Sequence, residues 1–149
     1  MFILDTNVIS EAMRVTPNTR VVNWLDQQSL SALYLTTITV AEIRAGIAVM
    51  PSGRKKEALS AAFETQILPD FLGRILPFDE PATRCYASIR HSARAAGRAI
   101  ADFDALIASI ALTRGFTVVT RDVSPFEAVE VRTIDPFESN RADSFRSAP

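Results

Sequence analysis

The chain has 149 residues, the length of one ordinary domain, with 48% hydrophobic residues, 22% charged residues and a formal net charge of −1. That composition supplies a core at this length and excludes disorder as the default, and the near-neutral charge counts against a module that grips duplex nucleic acid through phosphates alone. A single cysteine, Cys85, excludes an internal disulfide and a Cys/His structural zinc site; an acid at Asp5 comes too early for a signal peptide, and no apolar run is long enough for a membrane span, so a cytoplasmic domain is expected.

Phe2 to Leu4 is a short apolar run ending in Asp5-Thr6-Asn7, which predicts a buried strand and then a helix start. Val8, Ile9, Ala12 and Met13 suit a brief helix, broken at Pro17-Asn18, and Val21, Val22, Trp24 and Leu25 mark a second. Leu33 to Thr36 predicts another strand, followed by a helix from Thr39 to about Met50. After the turn at Pro51-Ser52-Gly53, Ala58, Leu59, Ala62, Phe63 and Ile67 predict one longer amphipathic helix, with Pro69 near its end. Ile75 to Phe78 is a weaker strand because of Pro77. A helix from Pro81 to about Ala96 closes at Gly97, and the clearest helix runs from Asp102 to about Arg114, with Leu106, Ile107, Ile110 and Ala111 on one face and Gly115 as its cap. Phe116 to Thr120 is a β-branched strand, and Glu130 to Ile134 a last, shorter one. Strands alternating with helices predict a parallel sheet covered on both faces.

The acids fall where such a fold concentrates chemistry. Asp5 follows the first strand, Glu42 lies at the start of the helix after the second, Asp102 and Asp104 open the clearest helix, and Asp122 follows the strand ending at Thr120. Strand C-termini and following helix N-termini share one edge of a parallel sheet, which is where ligands bind. Each acid also has a plain structural explanation. Asp5 or Asn7 can cap the first helix; Thr39-Val40-Ala41-Glu42 has capping-box spacing; Asp102 can be an N-cap, Asp104 can answer a helix dipole, and Asp122 can brace a turn. Together these explanations weaken, because a cap needs one acid where Asp102-Phe103-Asp104 supplies two, and gathered carboxylates repel unless a cation joins them. Hard oxygen ligands without histidine or cysteine suit Mg²⁺, with Mn²⁺ as its substitute.

At these residues the chain resembles a PIN-domain ribonuclease of the VapC/FitB toxin type. The match is carried by Leu4-Asp5-Thr6-Asn7-Val8-Ile9-Ser10-Glu11, by Thr37-Ile38-Thr39-Val40-Ala41-Glu42-Ile43, and by Asp102-Phe103-Asp104-Ala105-Leu106-Ile107-Ala108 leading to Val118-Val119-Thr120-Arg121-Asp122. It implies a three-layer α/β/α PIN-like domain over residues 1–137, with a central parallel sheet of four to five strands, and a flexible polar tail over 138–149. It further implies a Mg²⁺-dependent endoribonuclease, the toxin component of a type II toxin–antitoxin system. Asp5, Glu42, Asp104 and Asp122 would be its catalytic acids, and Asp5, Asp104 and Asp122 its metal ligands. Asp102, Thr6, Asn7 and Thr120 stand as accessory residues. Relatives often carry a second acid shortly after the fourth position, where this chain has Ser124-Pro125-Phe126, so Asp122 takes that role. Implied partners are an RNA substrate (transfer RNA at the family level), a cognate antitoxin seated in an apolar groove around Ile43, Ile47 and Val49, and a second copy of the chain. No membrane and no sequence-specific DNA binding by the chain alone are expected.

Arg14, Arg44, Arg98 and Arg121 are candidate phosphate contacts, with a solvated surface position as the rival for each. His91, between Arg90 and Ser92, reads as a surface histidine, which argues against a Ser-His-Asp hydrolase. The remaining readings of the same acids are a metal-dependent phosphatase, a nuclease acting on single-stranded or structured DNA, and a catalytically silent PIN binding module. A receiver-like domain wants a lysine near its acids, whereas Lys55 and Lys56 lie away from the motifs.

Overall fold

The computed structural model describes residues 1–138, so all but the first residue of the expected tail lies outside them. Strands β1 (Phe2–Leu4), β2 (Leu33–Thr36), β3 (Ile75–Leu76), β4 (Thr117–Val119) and β5 (Thr133–Ile134) form one sheet in the order β3-β2-β1-β4-β5. Every pairing is parallel, with Leu4 opposite Val119 and Ile3 opposite Tyr34. Helices α1 (Thr6–Ala12) and α2 (Thr19–Asp26) follow β1; α3 (Thr37–Ala48) and α4 (Arg54–Ala62) follow β2. Then α5 (Glu80–Ala95) and α6 (Asp102–Arg114) follow β3, and the single turn of α7 (Ser124–Glu127) precedes β5. This is the expected α/β/α layering.

Alternation along the strands divides the core. Ile3 and Val118 point to one face, where they meet Ile89, Ile107 and Ile110 of α5 and α6. Leu4, Leu35 and Val119 point to the other, where they meet Val8, Val21, Ile43 and Phe63. Period-two side-chain placement therefore lets three-residue strands serve two cores. The chain builds outward from β1 to β3, then crosses back to lay β4 on the other side of β1. The carboxyl ends of β1 and β4 flank the point where strand order reverses, and such sheets leave a crevice there.

Several local expectations change. The helix after β2 starts at Thr37, because Thr36 is its N-cap and the Thr36 hydroxyl accepts the Thr39 N–H at 2.9 Å. With the Thr39 amide already satisfied, the capping box with Glu42 does not form, and Glu42 lies in the second turn. Asp102 is not an N-cap either; Ala101 holds that position without a side-chain bond. Helix α6 is buried nearly all round from Ala105 to Ala111, with Leu106 only half-buried, because it lies against α5, α7 and α3 as well as the sheet. The single longer helix expected through Ile67 ends at Ala62 and continues as a wide π turn over Phe63–Ile67 and a tight turn over Leu68–Phe71. Pro69 has no N–H to donate, and the widened turn lets Phe63 and Phe71 both enter the core. The last strand is shorter than expected because Glu130 adopts a φ of 62°, which ends any extended run there.

Candidate active site

Asp5 is held on three sides. As N-cap of α1 it accepts the Thr6 N–H on Oδ1 at 2.8 Å, while Oδ2 accepts the Asn7 side-chain amide at 2.9 Å and the Thr120 hydroxyl at 2.8 Å. The capping explanation for Asp5 is correct, and it occupies only one of the two oxygens. Asn7 also donates to the Thr120 hydroxyl at 3.0 Å and accepts the Arg121 N–H at 3.1 Å. The Thr120 hydroxyl in turn accepts the Asp122 N–H at 3.2 Å. These bonds lock the end of β1 to the loop after β4, so Thr6, Asn7 and Thr120 orient Asp5 within the crevice. Burial, and after it the charge of Asp122, pushes the Asp5 carboxyl above the usual carboxylate range against those hydrogen bonds.

Glu42 arrives from α3, half-buried, and accepts the Thr6 hydroxyl on Oε2 at 2.7 Å. Burial pushes its carboxyl upward, with the charge of Asp5 adding to the effect. Asp104 arrives from the first turn of α6 and is raised to about 6, first by burial and then by the charges of Asp5, Glu42 and Asp122; no hydrogen bond from the described residues offsets this. The charges that act on Asp104, after burial, belong to Asp5, Glu42 and Asp122, which come from three other segments of the chain. Asp122 is the exposed member, its carboxylate accepting the Ser124 hydroxyl at 3.0 Å. Asp102 is not brought into this group: it is exposed and pairs with Arg90 at 2.8 Å.

The four candidate arginines divide. Arg44 is occupied by both oxygens of Glu64, at 2.7 and 2.9 Å. Arg14 and Arg121 both reach Oε2 of Glu11 at 3.3 Å. Arg98 lines an open cavity at the C-terminal end of α5, with Arg90 and Arg94. His91 is exposed on α5. Sequence spacing does not mark Glu11 as a residue near the site, yet it is only 6% exposed. Its other oxygen accepts the Asn18 N–H at 2.8 Å, the main reason its carboxyl lies below the usual range. Through Arg121, whose guanidinium stacks 3.9 Å over the Phe137 ring, Glu11 braces the loop that carries Thr120 and Asp122. The available signal is an acid three residues after Val8 on the buried face of α1.

Beside Thr6 and Glu42 opens an apolar groove of about 260 Å³, walled by Met13, Ile43, Ile47 and Met50. Val49, expected in this groove, does not line it and is 84% exposed.

In their present placement no three carboxylates among the described residues close on a single ion. The donor set still fits a hard divalent cation: all its atoms are carboxylate oxygens, burial and mutual repulsion raise three of the four groups, and a cation would relieve that repulsion. Asp5 is fixed by its three donors, whereas Glu42 and Asp104 are half-buried and Asp122 is exposed.

The family model for the PIN domain matches residues 2–131. The chain is 52% identical to the plasmid stability protein StbB of Pseudomonas syringae pv. tomato, over 93% of this chain and all of that protein. It is 50% identical to toxin FitB of Neisseria gonorrhoeae, over 92% and 99% of the two chains. It is 45% identical to the VapC ribonuclease Y4jK of Sinorhizobium fredii, over 93% and 99%. Its fold superposes on the crystal structure of FitAcB from Neisseria gonorrhoeae with a TM-score of 0.89 at 49% identity, over 93% of this chain and all of that one. With the fold, the strand-end acids and these relatives in agreement, the chain belongs to the PIN-domain family.

Proposed function

We propose that the protein is the endoribonuclease toxin of a toxin–antitoxin pair, acting in the cytoplasm as a homodimer and hydrolysing RNA phosphodiester bonds with Mg²⁺. What supports this reading above all is the placement of Asp5, Glu42, Asp104 and Asp122 after strands or on the following helices at one edge of the sheet, with Asp104 raised to about 6 by burial and by the charges of the other three. Membership of a family that includes the VapC ribonuclease and toxin FitB gives that cluster its chemistry. Asp5 and Asp104 would hold the ion, with Asp122 supporting it from the rim. Bound there, Mg²⁺ would offset charge on the phosphate oxygens and lower the pKa of a water.

The remaining work falls to the chain. Glu42, with a raised affinity for protons and its carboxylate steadied by Thr6, orients the attacking water and accepts its proton. The water oxygen joins phosphorus, the bond from phosphorus to the 3′ oxygen breaks, and the leaving oxygen takes a proton from solvent. Thr120 and Asn7 keep Asp5 aligned throughout. A cognate antitoxin holds the enzyme inactive by laying an apolar segment into the groove that ends at Thr6 and Glu42.

The test is cleavage of RNA and of single-stranded DNA by the purified protein with Mg²⁺, Mn²⁺ or EDTA. RNA cleavage that EDTA abolishes, and that Asp5→Asn abolishes without unfolding the chain, is expected. Cleavage of DNA alone would replace the ribonuclease by a DNA nuclease, and no cleavage with any metal would leave a silent binding module.

A further inference from the structure

Between Pro81 and Ala101 the chain contains no Asp or Glu, while it contains Arg84, Arg90, Arg94 and Arg98. In a protein of net charge −1 this is a concentrated basic segment. Three of these arginines, Arg90, Arg94 and Arg98, recur every fourth residue and line one open cavity of about 340 Å³ together with Ala99 and Ile100. We infer that this cavity is a binding site for the phosphodiester backbone of the RNA strand as it leads away from the acidic cluster, an inference that rests on the ribonuclease reading above.

The cavity is shaped by fixed backbone. At the end of α5, Gly97 takes a φ of 64°, the Gly97 N–H donates to the Arg94 carbonyl at 3.1 Å and the Arg98 N–H to the Ala93 carbonyl at 2.8 Å. That reversal folds Arg98 back beside the helix it has just left. Arg90 donates to the Ile100 carbonyl at 3.0 Å and pairs with Asp102 at 2.8 Å, which ties the cavity to the first turn of α6. Asp104 lies two residues further along that same turn and about 200° round the helix from Asp102, so the arginine cavity and the acidic crevice open on different faces of the first turn of α6, and the strand would round that turn to pass between them.

Charge distinguishes the two arginines that remain. Among the described residues neither Arg94 nor Arg98 pairs with a carboxylate, and both are exposed. One basic residue is enough to answer the dipole at the end of α5. Arg94 in the last turn fills that role, and Arg98 just beyond it adds a second planar donor beside the alanine-walled hollow, both suited to phosphate oxygens. An acidic metal cluster repels a polyanion, so a cationic strip beside it supplies the attraction that holds the strand while the acids act.

The test measures binding apart from cleavage. A fluorescein-labelled single-stranded RNA of mixed sequence is titrated with full-length protein in EDTA across a salt series, followed by anisotropy. Arg94→Ala/Arg98→Ala should weaken binding about tenfold and reduce the slope of log affinity against log salt by about 1.4, since each single-strand phosphate that an arginine neutralises accounts for roughly 0.7. With Mg²⁺ present, KM for RNA should rise by a similar factor. Arg54→Glu removes as much charge from α4, which packs on α3 in the opposite layer, and should leave RNA affinity within twofold of the parent. Unchanged affinity and slope in the double variant would overturn the inference, as would an equal loss in the Arg54→Glu control. If the double variant binds RNA normally and loses its grip on the antitoxin, the cavity is a protein contact and the inference fails. A parent protein that neither binds nor cuts RNA brings down the ribonuclease reading itself, a result distinct from all of these.

Discussion

Replacing Asp104 by Asn is expected to stabilise the metal-free protein at neutral pH. In the folded chain the Asp104 carboxyl is raised from 3.8 to about 6. At ~1.36 kcal/mol per unit that shift corresponds to roughly 3 kcal/mol of strain on the ionised form. The group is only half-buried, so solvent screening leaves about half of it, and the lost attraction between Asp104 and the N-terminal dipole of α6 removes roughly another 0.5 kcal/mol. A net gain of about 1 kcal/mol raises Tm by about 3 °C in a domain of this size. The sign with pH follows from the raised value. The strain is fully present above about 6 and is relieved as pH falls from there towards 3.8, so the advantage of the variant should shrink by about half at pH 5. Thermal melts followed by circular dichroism in EDTA, at pH 7.5 and pH 5, measure this directly. Adding Mn²⁺ should then stabilise the parent and not the variant, because the ion binds only where the carboxylate remains. A variant less stable than its parent at pH 7.5 would refute the reasoning and return Asp104 to the role of a helix-dipole acid; an advantage undiminished at pH 5 would show that charge is not its source.

Thr6→Val removes the donor 2.7 Å from Glu42, so the acid limb of the activity–pH profile should move upward and turnover near neutrality should fall about tenfold, with Thr6→Ser restoring both. A profile that keeps its limb in Thr6→Val would mean that Thr6 does not act through Glu42. Glu11→Gln releases Arg121, and hydrogen-exchange mass spectrometry of the metal-free protein should show faster exchange across Thr120–Asp122 while the α6 core stays protected; equal exchange in parent and variant contradicts the bracing role of Glu11. Ile107→Ala, at a fully buried position in α6, should cost about 2–5 kcal/mol in urea unfolding, and a much smaller loss would mean that α6 repacks.

Much of the fold is legible in local pattern. Apolar runs at Phe2–Leu4, Leu33–Thr36 and Thr117–Val119 mark the three central strands, and the C-terminal end of α6 follows from Gly115, which takes the left-handed conformation its place demands. Patterns fail where long-range packing overrides propensity. The split after α4 follows from two phenylalanines entering one core, and the short β5 from the backbone turn at Glu130. The apparent stripe on α6 is an effect of reading one face of a helix that is covered on nearly every side.

The candidate site divides along the same line. Which residues carry carboxylates, and that each follows a strand or opens a helix, is written locally in Asp5, Asp104 and Asp122. Whether those carboxylates share a crevice depends on the reversal of strand order that sets β4 beside β1, and only the tertiary structure decides it. The same holds for two residues that short-range spacing misassigns. Glu42 matches a capping box by position, yet Thr36 already satisfies the Thr39 amide and leaves Glu42 to Thr6; Asp102 sits beside Asp104 in sequence, yet α6 turns it out to Arg90. Local sequence determines what each backbone segment can form, because propensity and capping act over a few residues. The partner a carboxylate finds is determined by elements distant in the chain, since charge and hydrogen bonding act through space.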